Sequence, residues 1–382
     1  MEFTRRDMIK MLGVTALGGV LTGVVTAEPG KDRAASESIP LIHTTDLYHP
    51  PQDPDDQIDL ATLLALPEYD LQGVVLDITE RFLHEAPRGY DIPRDPGYVP
   101  VSQMAYITGQ AIPMTQGPIH PLGSPGDTAK DVSSKEQAGI EMVIDLLKEN
   151  DMPVTVSVTG SPRALTAAYN REPDLLREKV KTVLLNAGST GGPKIEWNVR
   201  LDPEAYVGLW QSDLPIDWFP PGTETGAFDP NHKRGTYWKA VHRDLFRDLP
   251  PLIRGYLTHA LAGNLRGDII RALREQGSGA VWRNILSGER HLWSTASLVM
   301  GANRVLGRTN EGWRFIPKTD AADQDIWPWR LDSICASVDK TGNVNWHEIA
   351  GNSRRRIFGR RAGKEFSTAM TEALNALLKG IT

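Results

Sequence analysis

Cysteine is almost missing from this chain. Cys335 is the single one in 382 residues, which excludes an intrachain disulfide and any cysteine-built metal site. It lies in the apolar run Ile334-Cys335-Ala336, a setting that predicts a small core side chain rather than a nucleophile. An excess of positive charge is lacking too. The 42 Lys and Arg stand against 48 Asp and Glu, for a net charge of −6, so no general affinity for nucleic acid is implied. The basic residues are scattered except at Arg354-Arg355-Arg356 and Arg360-Arg361, which read as a solvated surface. Beyond Val25 no apolar run is long enough to cross a bilayer. No internal repeat is visible.

What is there begins with an address. Thr4-Arg5-Arg6-Asp7-Met8-Ile9-Lys10 precedes an apolar, glycine-rich stretch from Met11 to Val25 that ends in Val25-Thr26-Ala27. Charge, then apolar run, then small residues marks a removable signal over residues 1–27. The arginine pair resembles a twin-arginine signal, read by the twin-arginine export machinery; an ordinary secretory signal or a retained anchor is the alternative. The expected location is periplasmic or extracellular, with no stable membrane span after cleavage near Ala27. Residues 28–40 are small and polar and predict a flexible lead. With 40% hydrophobic and 24% charged residues, the chain can bury a sizeable core.

The stretch from Leu41 to Leu76 organises the rest. A short apolar run ends in Thr45-Asp46, an acidic loop follows with Asp53, Asp55 and Asp56, and Ile58 to Leu66 keeps a helical period before the strand Gly73 to Asp77. Four aspartates within eleven positions supply the several oxygens that Ca²⁺ or Mg²⁺ takes; helix capping by Asp is the alternative. Residues 78–134 are rich in Pro, Gly and Asp and read as loop with short helical pieces. Ser134 to Asn150 reads as a helix capped by Ser133 or Ser134. Strand Val154 to Val158, the turn Thr159-Gly160-Ser161-Pro162, a helix, strand Val180 to Leu185 and the glycine loop Gly188 to Gly192 follow. Helix Pro203 to Gln211, with Asp202 as its cap, leads to strand Ile216 to Phe219. This alternation predicts an α/β fold, a Rossmann-like, mainly parallel sheet flanked by helices, with ligands at the carboxyl ends of its strands. Residues 236–306 predict a helical insert, including Trp238 to Phe246 and Ile253 to Leu261. Short elements around Leu331 to Ile334 and a helix from Phe366 to Leu378 close the domain, taken as 41–382.

Asp46, the pair Asp55-Asp56 and the Leu/Ala-rich helix after them resemble the amino-terminal signature of the inosine-uridine-preferring nucleoside hydrolases, with Leu47 to Pro54 as a longer turn. Further blocks are similar in the same order: Val158-Thr159-Gly160-Ser161-Pro162, then Glu196-Trp197-Asn198 with Asp202-Pro203-Glu204-Ala205, then Leu331-Asp332-Ser333-Ile334. The resemblance implies Ca²⁺ held by Asp46, Asp56, Asp332 and the Thr159 carbonyl, with Asp46 as the catalytic base. It implies a ribose held by Asp55, Glu196 and Asn198, with Asn186 standing under the sugar where the family often has Met. The expected reaction is hydrolysis of the N-glycosidic bond of a nucleoside or related glycoside by a metal-activated water. Two departures stand out. Leu331 replaces the family's His, so His242, His259 or His291 would protonate the leaving base; and Leu76 to Glu80 lacks the usual Asn, leaving Asp77 or Glu80 to substitute. Of ten tryptophans, Trp327 and Trp329, just ahead of Asp332, are the candidates to stack on substrate, while Trp282 and Trp293 pack in the insert. A non-catalytic sugar- or nucleoside-binding protein of the same fold is the first rival. The second is a metal-dependent phosphoesterase on the acidic loop, with His43 as the candidate histidine near it. A homo-oligomer is compatible with the sequence, and no nucleic-acid partner is expected.

Overall fold

Strands covered by helices on both faces read as continuous apolar or β-branched runs, and the runs of the first half behave in that way. In the computed structural model, which describes residues 38–84, 93–262, 267–275, 279–322 and 325–381, β1 (Ile39–Thr45) and β4 (Val154–Val158) are buried along their whole length. Around them stand β2 (Tyr69–Leu76), β3 (Met114–Gln116), β5 (Val180–Leu185) and β6 (Ile216–Trp218). Later come β7 (Trp238–Val241), β8 (Glu289–Leu292), β9 (Arg304–Thr309), β10 (Gly312–Pro317), β11 (Asp325–Ile326), β12 (Trp329–Val338), β13 (Val344–Glu348) and β14 (Arg355–Arg360). The expected signal over residues 1–27 lies outside the described residues. The first strand begins at Ile39, so Ile39 and Pro40 belong to the sheet rather than to the lead.

Nine strands form one sheet in the order β13-β12-β14-β6-β5-β4-β1-β2-β3. Pairing is parallel from β3 across to β14, and β12 runs antiparallel to β13 and β14. The chain builds outward from β1 through β2 to β3, then returns to β4 and builds the other way. β1 and β4 are therefore neighbours at a topological switch point, where their carboxyl ends open a crevice. One face of the sheet packs Ile58, Val74, Val101, Tyr256 and Phe366; the other packs Ile140, Val143, Val156, Leu165 and Tyr206.

Several elements differ from expectation. Residues 78–134 hold an eleven-residue helix, Tyr98–Thr108, whose Val101, Met104 and Ile107 are buried at helical spacing; Pro100 is tolerated because it falls in the first turn. The expected helix from Trp238 is instead β7, buried at Trp238 and Ala240 and exposed between and after, the period of a strand. It pairs with β8, and together they bracket the helices Pro251–Ala262, Ile269–Glu275 and Gly279–Leu286. Tyr256 Oη anchors this insert by donating to the Gln57 carbonyl at 3.1 Å. Cys335 is exposed on β12 rather than in the core. Of the C-terminal arginines, Arg354, Arg356 and Arg361 are solvated as expected, while Arg360 is buried. Arg356 forks onto Asp217 at 2.6 and 2.7 Å, and Arg360, 3% exposed, donates to the Gly235 and Pro230 carbonyls at 3.0 and 2.8 Å.

Candidate functional site

The parallel ladder continues past the strand ends and aligns the residues that follow them. Thr159 N donates to the Thr44 carbonyl at 3.0 Å, Asp77 N to Thr45 at 2.8 Å and Asn186 N to Val158 at 2.9 Å. Asp46 lies beside Gly160, where a Cβ would come within 2.8 Å of the Asp46 Oδ1; only glycine lets the two turns close. Helix Asp55–Leu64 then aims its first turn at the same point. Its cap residue is Pro54, without a side-chain cap, so Asp55 and Asp56 are not spent on capping. Thr45 Oγ1 donates to Asp56 Oδ1 at 3.1 Å, and the Asp46 and Asp56 carboxyl groups are close enough for each to perturb the other. The long turn Leu47 to Pro54 leaves Asp46 at the site and adds Tyr48, Gln52 and Asp53 to the cavity lining, held by Gln57 Nε2 on the Tyr48 carbonyl at 2.9 Å and by the Asp53–Arg290 ion pair.

Crowded carboxylates out of water resist ionisation. Burial pushes Asp46 up to about 6, against the pull of the buried Arg163 guanidinium. Burial, then neighbouring carboxylates, holds Asp55 and Asp56 well above the usual range. Asp59, one turn further along the helix, is pushed up to about 7 by burial, eased by the Ser294 side chain.

The opposite wall comes from the chain after β5. Glu196 Oε2 accepts from Gly188 N at 2.8 Å and Asn198 N at 3.1 Å, capping the short helix Trp197–Leu201; burial pushes it up to about 7. Asn198 Nδ2 donates to the Thr159 and Asn186 carbonyls at 3.2 and 2.9 Å, joining this wall to the ends of β4 and β5. Asn186 Nδ2 is used by the Val158 carbonyl at 3.0 Å, which leaves its Oδ1 buried without a partner. Asp46, Asp55, Asp56, Thr159, Asn186, Glu196 and Asn198 all line one cavity of about 1290 Å³. Phe82 and Trp197 flank it on one side and Phe228 and Trp293 on another, with Phe82–Trp197 and Phe228–Trp293 centroids 5.7 and 5.5 Å apart.

Other expected residues are elsewhere. Asp332 sits on antiparallel β12, away from the carboxyl ends of the parallel strands, and its carboxylate is taken by Arg234 at 2.6 Å and Arg330 at 2.7 Å. Trp327 is core, 1% exposed, packed on Phe366 and donating to the Arg361 carbonyl at 3.2 Å. Trp329 packs edge-on against Phe358. None of the three lines the cavity. Asp77 is buried and consumed by Arg163 and the Ala164 N–H, and Glu80 pairs with His120 at 2.7 Å. The histidines proposed as acids are also engaged. His242 Nδ1 meets the Ile285 carbonyl, His259 stacks on His49, and His291 bonds the Tyr237 hydroxyl behind Phe228 and Trp293. Asp202 is a helix cap as expected, accepting from Ala205 N at 2.9 Å. Trp293 and Ser294 were missed as cavity residues. Their signal was a small polar residue just ahead of the helix Thr295–Gly301, hidden inside a stretch read as insert.

The donors around Asp46 are all oxygens, and the orphaned Asn186 Oδ1 points to a ligand; both fit a hard cation such as Ca²⁺. Among the described residues no group of three or more His, Cys, Asp or Glu side chains converges as a metal cage. The fit therefore rests on a mixed set of two carboxylates with carbonyl and amide oxygens.

No family model matches the chain. It is 28% identical over 199 residues to the pyrimidine-specific ribonucleoside hydrolase RihA of Enterobacter sp. (strain 638), covering 47% of this chain and 58% of that protein. Against the RihA of Salmonella paratyphi C (strain RKS4594) it is 24% identical over 232 residues, covering 56% and 67%. The chain thus spans somewhat more than half the length of the curated relatives it matches. Among solved structures, a plant nucleoside hydrolase, PpNRh1, superposes with TM-score 0.51 at 14% identity over 89% of this chain and 99% of that one. An inosine-uridine preferring nucleoside hydrolase from Bacillus anthracis gives 0.50 at 14%, covering 90% and 100%; at such identity the likeness is one of fold. Sequence relatives and fold agree: the chain is similar in sequence to ribonucleoside hydrolases and shares the fold of the nucleoside hydrolases.

Proposed function

We propose that this protein is an exported, Ca²⁺-dependent hydrolase that cleaves the N-glycosidic bond of a ribonucleoside or related glycoside. The observation that carries the reading is the meeting of the Asp46–Asp56 pair, the Thr159 carbonyl and the unpartnered Asn186 Oδ1 in one cavity with Glu196 and Asn198. Asp46, Asp56, Thr159 O and Asn186 Oδ1 are the groups that would hold the ion, which when bound supplies Lewis acidity toward a water. Asp46 takes the proton of the attacking water as general base. The water oxygen adds at the anomeric carbon as the bond to nitrogen breaks, and the base leaves with the electron pair. Asp55, Glu196 and Asn198 orient the sugar through its hydroxyls. The aromatic rings Phe228 and Trp293 suit the flat face of a leaving base. Among the described residues no histidine lines the cavity, which favours leaving groups that depart without protonation. A cavity of about 1290 Å³ leaves room for a glycoside larger than a simple nucleoside. The Arg5-Arg6 pair ahead of Met11 to Val25 supports twin-arginine export to the periplasm or exterior.

The test is hydrolysis of p-nitrophenyl riboside, inosine and uridine, with and without Ca²⁺, by wild type and Asp56→Ala. Ca²⁺-dependent turnover lost in the variant is the expected result, with the aryl riboside the best substrate because its leaving group needs no acid. Ca²⁺ binding without turnover of any of the three would replace this reading by that of a binding protein, the alternative favoured by the missing histidine.

A further inference from the structure

The loop after β6 brings an aromatic ring and a carboxylate to the cavity wall next to Glu196. Gly222 fixes that placement. Its N–H donates to the Gly188 carbonyl at 3.1 Å, its carbonyl accepts from Thr190 N at 3.1 Å, and a Cβ on it would stand 3.3 Å from Glu196 Cγ. On the same loop, Glu224 Oε2 accepts from the Thr190 hydroxyl at 3.2 Å and from His232 Nε2 at 2.8 Å. His232 Nδ1 in turn accepts from Arg234 N at 3.1 Å. A ring nitrogen that accepts carries no proton, so the imidazole donates as a neutral ring and leaves the Glu224 charge uncancelled. Phe228 is 62% exposed, yet its ring is braced by Tyr237, His291 and Trp293, with centroids 5.5, 5.3 and 5.5 Å away. Trp293 is itself pinned by its indole N–H on the Ala227 carbonyl at 2.8 Å. Beside Phe228, Asp229 accepts from Thr225 Oγ1 at 2.7 Å and Asn231 N at 2.9 Å, bonds that hold its carboxyl below the usual range. The lining as a whole has the same sign. Seven carboxyl groups stand against Lys194 and Arg200, and those cations flank Trp197 in the chain, Arg200 4.7 Å from that ring's centroid. A braced aromatic ring with an uncancelled carboxylate on its own loop suits a flat cation, which the ring attracts through its π face.

We propose that the leaving group of the substrate is a cationic aromatic heterocycle, a ribosylated pyridinium-type ring seated on Phe228 and paired with Glu224. This inference rests on the hydrolase reading of the same cavity and names the substrate class within it. Such a glycoside needs no leaving-group acid. As the water oxygen bonds to the anomeric carbon, the carbon–nitrogen bond breaks and its electron pair returns to the ring nitrogen, cancelling the positive charge there. The heterocycle leaves neutral, and the proton of the water goes to Asp46. A neutral base gains negative charge as it departs, and Glu224 and Asp229 repel it, so the same groups that accept the cation select against ordinary bases. In the bound substrate the positive charge sits on the ring, and it moves to the sugar as the bond breaks. Glu224 therefore acts on binding more than on the chemical step.

Steady-state kinetics with saturating Ca²⁺ on nicotinamide riboside, p-nitrophenyl riboside, inosine and uridine test this. The full chain is used as wild type, Glu224→Gln and Phe228→Leu, with circular dichroism to verify folding. Nicotinamide riboside is expected to exceed inosine and uridine in kcat/KM by about 100-fold or more, the contribution of the general acid that neutral bases require. Glu224→Gln is expected to raise KM for nicotinamide riboside about 10-fold with little change in kcat, the mark of a lost binding contact. Phe228→Leu is expected to raise that KM about 5-fold, and both variants to affect the cation more than the aryl riboside. As a second readout, the cation 1-methylnicotinamide is expected to inhibit aryl riboside hydrolysis more strongly than neutral nicotinamide, and Glu224→Gln to erase the difference. Turnover of the aryl riboside with nicotinamide riboside no better than uridine, or an unaltered KM in folded Glu224→Gln, overturns this inference and leaves the hydrolase reading standing. Turnover of none of the four overturns the hydrolase reading and this inference with it.

Discussion

At the scale of single residues, the site depends on contacts that allow no extra atom. Gly160 is the sharpest case, since a methyl there meets Asp46 Oδ1 and Cγ within 2.8 to 2.9 Å. Gly160→Ala is expected to lower kcat/KM by on the order of 100-fold through misplacement of the base, while the unfolding midpoint, measured alongside, falls little. Arg163 shows the opposite division of labour. It and Asp77 are both fully buried, and Arg163→Met leaves Asp77 an uncompensated interior charge, expected to cost about 3–5 kcal/mol in urea unfolding. Asp46, Asp56, Thr159 and Asn186 could be located from sequence because each stands at or just after a strand or at a helix start, and local pattern marks such places. Trp327, Trp329 and Asp332 could not, because a run that reads as a strand does not disclose which way it runs in the sheet. On antiparallel β12 the residues fall away from the parallel strands' carboxyl ends.

At the scale of elements, helices end and begin where side chains can satisfy free N–H groups. Helix Ser134–Glu149 carries a reciprocal cap, in which Ser133 accepts from Glu136 N and donates to Glu136 Oε2 at 2.9 Å. Ser133→Ala is expected to destabilise the protein by about 1 kcal/mol, readable as a shifted denaturant midpoint with unchanged slope. Helix Asp55–Leu64 lacks such a cap, and its first-turn carboxylates are left for the site. The stretch from Trp238 shows why element type was misread: four apolar or long side chains fit a helical pattern, but pairing with β8, some fifty residues on, decides for strand. Local propensity does not contain that partner.

At the scale of the whole molecule, stability and site are linked through charge. Burial raises Asp46 to about 6 and Asp59 and Glu196 to about 7. Between the ordinary carboxylate range and these values the folded protein holds protons that the unfolded chain has lost, so stability falls as pH rises through that window. The ion-free protein is therefore expected to melt at a higher temperature near pH 5 than near pH 8, by several degrees, in a scan with chelator present. Saturating Ca²⁺ is expected to remove most of that difference, because binding to the folded state alone stabilises it by mass action; an unchanged pH dependence with Ca²⁺ would show that the raised carboxylates are not at the ion site.

What the sequence determined by itself was local and periodic: the alternation of buried strands and amphipathic helices, and with it a mainly parallel sheet; the strand ends bearing Asp46 and Thr159; the cap at Asp202. These follow from spacing, turn chemistry and burial over a few residues. Tertiary structure alone decided that β1 and β4 are neighbours at the switch point, that Arg360 turns inward, that Asp77 is neutralised by Arg163, and that Ser294 rather than Asp332 lines the cavity. Each of those is a pairing between residues far apart in the chain, chosen by which surfaces can be buried together and which charges must then be matched.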